Sequence, residues 1–136
     1  MVQSHTVKAY DAELNELRSI ISQMGGLAEA QVAAAIDALV KRDSDAAQRV
    51  VAADKAIDAL DADAERLALQ IIALRAPMAD DLREIISALK ISALLERVGD
   101  YAKNIAKRST VLAQLESAET VTIIPQMARI AAQMVK

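Results

Sequence analysis

The chain lacks most of the residues on which sheet proteins and disulfide-linked proteins depend. Its 136 residues include no cysteine, no phenylalanine and no tryptophan, and only 3 glycines and 2 prolines. The absence of cysteine excludes disulfide bonds and thiolate zinc sites. The scarcity of glycine and proline leaves few of the tight turns that a sheet requires. Hydrophobic residues still make up 54% of the sequence, and most of them are alanine, leucine, isoleucine and valine. Such a composition is typical of long helices.

The charge pattern argues against several further classes of protein. The net charge is −3, and no stripe of lysine and arginine with interleaved aromatics appears, so nucleic-acid binding is disfavoured. No apolar run reaches the roughly 18 residues of a membrane span. The segment Met1–Tyr10 lacks the apolar core of a signal peptide. The sequence therefore predicts a soluble, cytoplasmic protein, long enough for one domain with its own core.

Apolar periodicity predicts a first helix from about Thr6 to about Lys41. Gly25 and Gly26 lie in its middle, and each glycine destabilises a helix interior by about 1 kcal/mol relative to alanine. This pair favours a kink or a close helix crossing over a functional hinge. The apolar stripe consists of residues spaced three and four apart: Tyr10, Leu14, Leu17, Ile21, Met24 and Ala28.

Two further long helices are predicted, and short turns connect all three. The second covers about 44–74, with Asp43 or Ser44 as its N-cap. The third covers about 78–115, with Pro77 at its first position. Three such helices make an all-α, elongated antiparallel bundle. The stripes expected to face its core are Ile57, Leu60, Ala64, Leu67, Ile71 and Leu74 in the second helix, and Ile91, Leu94, Leu95, Val98, Ala102, Ile105 and Leu112 in the third.

The end of the chain predicts a separate segment. Residues 116–121 are polar and read as a linker after a bundle at 1–115, and residues 122–136 hold a partial fourth helix that begins near Thr122. Its apolar face has no predicted partner within the chain, which favours self-association. We therefore expect a homodimer, in which this segment packs on a second copy of the chain or is exchanged between protomers. The apolar residues are Ile123, Ile124, Met127, Ile130, Ala131 and Met134.

Two acidic pairs are placed symmetrically around Pro77. Asp54 and Asp58 lie four residues apart in the second helix, and Glu96 and Asp100 lie four apart in the third. Asp58 and Glu96 are equidistant from Pro77, as are Asp54 and Asp100. A chain that folds back at this proline brings all four carboxylates to one height on neighbouring helices. The periodicity places both pairs at the surface, away from the apolar stripes.

Carboxylates gathered in this way repel each other, by about 1 kcal/mol per pair at about 4 Å in water and about 4 kcal/mol at an effective dielectric of 20. A hard cation would offset the repulsion, since carboxylate and amide oxygens suit Mg²⁺, Mn²⁺ or Ca²⁺, and carboxylates also bind iron. Asn104, one turn beyond Asp100, offers another oxygen, while Asp61 and Glu65 extend the stripe and rank lower. The alternative is a solvated acidic face that binds nothing and is diluted by the basic residues Lys55, Arg66, Arg97 and Lys103.

The sequence offers no recognisable catalytic set. Di-iron bundles use Glu-x-x-His motifs whose ligands project into the core. This chain has a single histidine, His5, which is predicted to belong to a disordered tail, and it has no Gly-rich phosphate loop and no Ser/His/Asp set. An enzymatic bundle is therefore disfavoured.

Three runs in the third helix carry a family resemblance: DLREII at 81–86, ALKI at 88–91 and LERVGDYAKNIA at 95–106. They strongly resemble the PhoU family, the regulators of the bacterial phosphate-transport system. Asp54-x-x-x-Asp58 and Glu96-x-x-x-Asp100 match the two E/D-x-x-x-D motifs of that family. The first helix agrees at 13–17 and 24–29, so the resemblance covers the whole chain.

The resemblance implies a fold of two consecutive three-helix bundles, of which this chain holds the first and the start of the second. It also implies metal ions or clusters at the acidic motifs. Asp54, Asp58, Glu96 and Asp100, with Asn104, are therefore expected to bind a metal ion such as Mg, Mn, Fe, Ca or Zn.

The function implied by the resemblance is regulatory and not catalytic. Members of the family signal phosphate sufficiency between the ATPase subunit of the phosphate ABC transporter and a membrane sensor histidine kinase, and so repress the phosphate-starvation response. Such partners imply a cytoplasmic protein, or one held peripherally at the inner face of the membrane. The competing interpretation is a metal-binding or storage bundle without a signalling role.

Overall fold

The computed structural model describes residues 2–115 and 123–136, and every regular element in them is helical. The helices are α1 (Val2–Lys41), α2 (Ser44–Arg75), α3 (Asp80–Leu112) and α4 (Ile123–Val135). The prediction of an all-α protein is confirmed. Within the described ranges, no helix combines the length and the apolar character needed to cross a membrane. The predicted linker at 116–121, and Thr122 as the start of the fourth helix, lie outside the described residues.

The three long helices form an antiparallel bundle in which each packs against the other two. Only two residues separate α1 from α2, which forces neighbouring, antiparallel helices. Asp43 is the N-cap of α2, as predicted: its side chain accepts a hydrogen bond from the backbone N–H of Ala46 at 2.9 Å. Such a cap satisfies one of the free backbone donors at a helix start.

The turn between α2 and α3 differs from the prediction for Pro77. The helix begins at Asp80, so Pro77 lies three residues before it and is not its first residue. Ala76 adopts a left-handed backbone conformation with φ of 43°, and Ala79 also has a positive φ, of 51°. The chain reverses direction through these two residues, and α3 starts only after them. Asp80 and Asp81 occupy its first turn, where negative charge is favourable.

The core stripe of α1 is confirmed, but the predicted apolar face of α3 is wrong in part. Ile91, Leu94 and Leu112 are 44%, 60% and 40% exposed. The buried side of α3 is instead rich in small residues, because small side chains allow the helix backbones to approach closely. The residues on that side are Ile85, Ser92, Leu95, Gly99, Ala102, Ala106 and Ser109. Leu74, the last residue predicted for the α2 stripe, is also exposed.

The glycine pair of α1 does not mark a close helix crossing. A Cβ atom added to Gly25 or Gly26 would meet no atom within 4 Å, and α1 is one continuous helix through both residues. The prediction of a close crossing at this pair is therefore wrong. The close approach occurs at Gly99 of α3, where an added Cβ would lie 3.0 Å from Cδ1 of Ile57.

Polar contacts hold together the end of the bundle at which α1 and α3 begin and α2 ends. Arg75 donates two hydrogen bonds to the carboxylate of Glu13, at 3.1 and 2.9 Å. The hydroxyl of Tyr10 donates to Oδ2 of Asp81 at 2.9 Å. These contacts join α2 to α1 and α1 to α3, and they fix the register on which the acidic pairs depend.

The fourth helix lies along α1, so the prediction that it has no partner within the chain is wrong. Ala128 packs against the apolar cluster around Val32, and Nζ of Lys136 lies 3.6 Å from Oε1 of Glu29. These two contacts show that α4 runs antiparallel to α1. Its half-buried residues are Ile124, Pro125, Ala128, Ala132 and Val135. Five of the six residues of its predicted apolar face are exposed: Ile123, Met127, Ile130, Ala131 and Met134. The assignment of 122–136 to a second bundle stays a prediction.

Candidate metal centre

Three carboxylates meet where α2 faces α3. Asp54, Asp58 and Asp100 each offer an oxygen, and these three oxygens all lie within 4.8 Å of one another. The two aspartates of α2 are one helical turn apart, and the antiparallel packing brings Asp100 of α3 to the same height. Glu96 lies one turn before Asp100 on α3, and both residues are half-buried.

The expected surface position is wrong for Asp54. This side chain is only 1% exposed, and it lies between α2 and α3, next to Gly99. Glu96 and Asp100 are half-buried at the edge of the core, although they were expected to point away from it. The reason is the unexpected orientation of α3, since the buried Gly99 lies between them in the sequence.

Asp54 has one cationic partner and one oxygen without any. Nζ of Lys103 donates to Oδ2 of Asp54 at 3.3 Å. Its other oxygen, Oδ1, is buried and has no hydrogen-bond partner among the described residues. An unsatisfied buried acceptor costs about 1–3 kcal/mol, and more when it carries charge. The site is therefore incompletely satisfied by the protein alone.

Glu96 holds its proton unusually tightly. Burial raises its pKa from 4.5 to about 7, and a hydrogen bond with Asp100 and the charges of Asp100, Asp58 and Asp61 act in the same direction. A bound cation would oppose this shift, because positive charge nearby favours the ionised form of a carboxyl group.

The pKa of Asp58 is raised as well. Desolvation of the carboxylate is the largest cause, followed by the charges of Asp54 and Asp100, while Lys103 and a hydrogen bond with Glu96 act in the opposite direction. The residue as a whole is exposed, so solvent screens these charges more than it does at Asp54. Asp58 forms the outer, accessible side of the cluster.

Asn104 and the two lower-ranked candidates, Asp61 and Glu65, are placed differently from one another. Asn104 is exposed on α3, one turn beyond Asp100, and Glu65 is exposed on α2. Asp61 is half-buried and accepts a hydrogen bond from the buried hydroxyl of Ser92 at 2.5 Å. Of the four basic residues named as counterions, Lys103 pairs with Asp54 and Arg66 pairs with Asp63.

The single histidine lies within a helix. His5 belongs to α1, which begins at Val2 and not near Thr6, so the prediction of a disordered tail is wrong. Its side chain lies outside the described residues, and the prediction that it is no metal ligand stays a prediction.

Sequence reasoning did not single out Gln31 of α1 or Gly99 of α3. Gln31 is 5% exposed; its Nε2 donates to the carbonyl of Ala53 at 3.1 Å, and its Oε1 has no partner in the described part of the chain. The signal was available, because Gln31 continues the core-facing series that includes Met24 and Ala28. A polar residue on such a stripe needs an explanation.

The residues present fit a hard divalent cation. Asp54, Asp58 and Asp100 supply three anionic oxygens within bridging reach of each other, and one buried oxygen of Asp54 lacks a donor. A cation of 2+ charge would offset most of the negative charge of the three carboxylates and satisfy that oxygen. All the donors are oxygens, which suits Mg²⁺, Mn²⁺ or Ca²⁺ better than the softer metals.

Fold and cluster together define the class of protein: an antiparallel helical bundle that carries E/D-x-x-x-D pairs on two adjacent helices. Comparison with family models identifies a PhoU domain at residues 21–109. The chain belongs to the PhoU family.

Relatives with curated names support the same assignment. The chain is 48% identical, over 97% of its length, to the phosphate-specific transport system accessory protein PhoU homolog of Zymomonas mobilis, and 50% identical, over 87%, to that of Caulobacter vibrioides. It covers 56% and 51% of those two proteins. The chain thus spans about half the length of these relatives.

A solved structure has the same fold. The crystal structure of PhoU from Pseudomonas aeruginosa matches 93% of the chain with a TM-score of 0.87 and 37% sequence identity. The matched part is 61% of that protein. The predicted PhoU-like bundle is therefore confirmed.

Proposed function

We propose that this chain regulates phosphate uptake and phosphate-starvation signalling. The observation that carries the proposal is the 48% identity, over nearly the whole chain, to a protein named as an accessory of the phosphate-specific transport system. The role is regulatory and non-catalytic. The proposed partners are the ATPase subunit of the phosphate ABC transporter and a membrane sensor histidine kinase.

The long polar faces of the bundle are the surfaces we assign to these partners. They place the chain in the cytoplasm, or at the inner face of the membrane next to the transporter. The uncovered residues of α4 favour a homodimer, because Met127 and Ile130 are 61% and 60% exposed on one helix. Light scattering of the purified chain tests this: a monomer at micromolar concentration would rule out a dimer of useful affinity.

Asp54, Asp58, Glu96 and Asp100 are proposed to hold a divalent cation in this regulator, with Asn104 supplying a further oxygen. A bound cation would supply positive charge that ties α2 to α3. The chain's own residues do the rest: Asp54 is held in place by burial, Lys103 neutralises one of its oxygens, and Glu96 gives up its proton when the cation enters. Binding therefore stiffens the face on which the two acidic pairs lie.

Removal of the gene tests the regulatory role. In the organism that encodes the chain, deletion should make phosphate-starvation genes constitutively active when phosphate is plentiful. A copy carrying Asp58→Ala and Asp100→Ala should restore repression poorly, while a copy carrying Asp63→Ala, an exposed carboxylate of α2, should restore it fully. Normal repression in the deletion strain would count against the proposal.

Calorimetric titration with Mn²⁺ and Mg²⁺ tests the cation site separately. The wild-type chain should release or absorb heat that disappears in Asp58→Ala and in Asp100→Ala and persists in Asp63→Ala. If the wild type binds neither ion, the proposed cation site is ruled out. The regulatory role is then tested by the deletion experiment alone.

The second candidate is a metal-binding or storage bundle with no signalling role. The three closely spaced carboxylates favour it, since they require no partner protein. The two experiments separate the candidates: cation binding together with normal repression in the deletion strain would support storage over regulation.

A further inference from the structure

Two buried oxygens without hydrogen-bond donors lie close to the same residue where three helices meet. They are Oε1 of Gln31 on α1 and Oδ1 of Asp54 on α2. Both lie close to Gly99 of α3: a Cβ atom built there would be 3.5 Å from the first and 3.2 Å from the second. Gln31 and Asp54 are 5% and 1% exposed, so bulk solvent does not reach either of them.

The orientation of the Gln31 amide follows from its other contact. Nε2 donates to the carbonyl oxygen of Ala53 at 3.1 Å. If the amide were turned around, its oxygen would face that carbonyl, and two acceptors would oppose each other. The amide oxygen therefore points towards Asp54 and Gly99. Two hydrogen-bond acceptors, Oε1 of Gln31 and Oδ1 of Asp54, are therefore close to each other on the inner side of the acidic cluster.

We propose that Gln31 is a ligand of the cation, and that Oε1 of Gln31 and Oδ1 of Asp54 form the inner wall of its site. Asp58 and Asp100 form the outer wall. This inference rests on the proposed cation site and extends it from two helices to three. A neutral amide oxygen beside carboxylates is a normal ligand set for Mn²⁺, Mg²⁺ or Ca²⁺. Binding would then fasten α1 to α2 and α3 at one point.

The absence of a side chain at Gly99 has a role in this site. Any larger residue would place an apolar carbon against the two free oxygens, since its Cβ would lie 3.2 Å from Oδ1 of Asp54 and 3.5 Å from Oε1 of Gln31. Lys103 does not satisfy either free oxygen, because its contact is with the other oxygen of Asp54, Oδ2. The inner part of the proposed site is thus formed by one residue from each of the three helices: Gln31 of α1, Asp54 of α2 and Gly99 of α3.

Gln31→Met tests the proposal because it keeps the length of the side chain and removes the oxygen. Mn²⁺ titration of the 136-residue chain, followed by electron paramagnetic resonance, should show an affinity at least about tenfold weaker than that of the wild type. Its unfolding temperature in EDTA should change little, since the lost hydrogen bond from Nε2 to Ala53 is offset by the removal of an unsatisfied acceptor. The matched control is Gln48→Met, an exposed glutamine of α2, which should bind Mn²⁺ like the wild type.

Gln31→Glu is the second variant, and it covers the case in which the methionine variant does not fold. It keeps the oxygen and adds a charge beside Asp54. Its unfolding temperature in EDTA should be lower than that of the wild type, and Mn²⁺ should raise it by more. Equal or weaker stabilisation by Mn²⁺ in this variant would overturn the proposal.

The remaining outcomes are also decisive. If Gln31→Met binds Mn²⁺ as tightly as the wild type, Gln31 is no ligand, a buried water or proton satisfies the two oxygens, and the outer cation site still stands. If the wild type itself binds no Mn²⁺, the cation site and this inference fall together. The regulatory role is judged separately, by the deletion experiment.

Discussion

Gly99 and Asp54 approach each other so closely that a Cβ atom on Gly99 would lie 3.2 Å from Oδ1 of Asp54. The same atom would lie 3.0 Å from Cδ1 of Ile57, which is completely buried. Both distances are shorter than an ordinary van der Waals contact. The missing side chain at Gly99 is therefore what allows α2 and α3 to meet at the height of the acidic pairs.

Gly99→Ala should lower the free energy of unfolding by about 1 kcal/mol. Overpacking a tight core contact costs about 1–3 kcal/mol, and the better helix propensity of alanine offsets about 1 kcal/mol of that. Urea denaturation in EDTA measures the difference. Gly26→Ala is the matched control, because no atom lies within 4 Å of its added Cβ. That variant should be more stable by about 0.5–1 kcal/mol, and a similar gain at Gly99 would show that the contact is not tight.

Glu96→Gln should make the stability of the metal-free protein less dependent on pH. Burial, the hydrogen bond with Asp100 and the neighbouring charges raise the pKa of Glu96 to about 7. A group whose pKa is raised on folding stabilises the protein below its unfolded pKa, near 4.5, and that stability is lost as the pH rises through about 7. The wild type should therefore lose stability over this range relative to the variant.

The expected difference between Glu96→Gln and the wild type is about 1–2 kcal/mol in favour of the variant at about pH 8. One pKa unit corresponds to about 1.4 kcal/mol, and solvent screening at a half-buried position reduces the total. At about pH 4 the two proteins should be equally stable. Thermal unfolding in EDTA across this range is the measurement, and a constant difference at every pH would contradict a titrating Glu96.

Glu13→Gln should weaken the end of the bundle, and it should do so only above acidic pH. The two hydrogen bonds from Arg75 lower the pKa of Glu13, and the charge of Arg75 adds to this against the opposing effect of burial. Stability from a carboxyl with a lowered pKa is present above its unfolded pKa and is lost as the pH falls through the folded value. We expect a loss of about 1 kcal/mol at about pH 7, where the pair is bidentate and partly buried.

Acid titration of stability checks this expectation. The gap between wild type and Glu13→Gln should close as the pH falls below the lowered pKa of Glu13, because Glu13 is then protonated in both states. Asp37→Asn, which removes an exposed contact with Lys41, is the control and should change stability by less than about 0.5 kcal/mol. A larger loss of stability in Asp37→Asn than in Glu13→Gln would contradict the view that the partly buried pair of Glu13 and Arg75 is the stronger of the two ion pairs.

The helices were predictable because large apolar residues and caps mark them. Leu14, Leu17 and Met24 recur at helical spacing and are buried, and Asp43 caps α2 as its position before the helix suggests. The face of α3 was not predictable in the same way. Hydropathy favours Ile91 and Leu94, whereas the contact between helices is decided by how closely the backbones approach, and that is set by small residues.

The positions of the acidic pairs were predicted correctly from the sequence, but the burial of Asp54 was not, although its spacing indicated it. Residues at equal sequence separations from Pro77 lie at the same height in the bundle. This holds even though α3 starts after that proline. Burial depends on the rotation of each helix. Asp54 continues the buried series of Ala47, Val50 and Ile57, so its burial was readable from spacing. The free oxygen of Gln31 was not, because it results from the contact of three helices.

Lys103→Met should destabilise the metal-free protein by about 2 kcal/mol. Nζ of Lys103 lies 3.3 Å from Asp54, whose side chain is 1% exposed. Removal of the lysine ammonium group leaves the buried charge of Asp54 without a counterion. Breaking a fully buried pair costs about 3–5 kcal/mol, and Lys103 is partly accessible, so the loss should be smaller. Lys90→Met, an exposed lysine of α3, is the control and should have little effect.

Mn²⁺ should reverse this loss, because a divalent cation can replace the charge that Lys103 provides. With Mn²⁺ in excess over its dissociation constant, Lys103→Met should recover most of the wild-type unfolding temperature by mass action. It should also bind Mn²⁺ more tightly than the wild type, since the ammonium no longer repels the incoming ion. Weaker binding by Lys103→Met would mean that Lys103 helps to shape the cation site, and the electrostatic account of Asp54 would have to be revised.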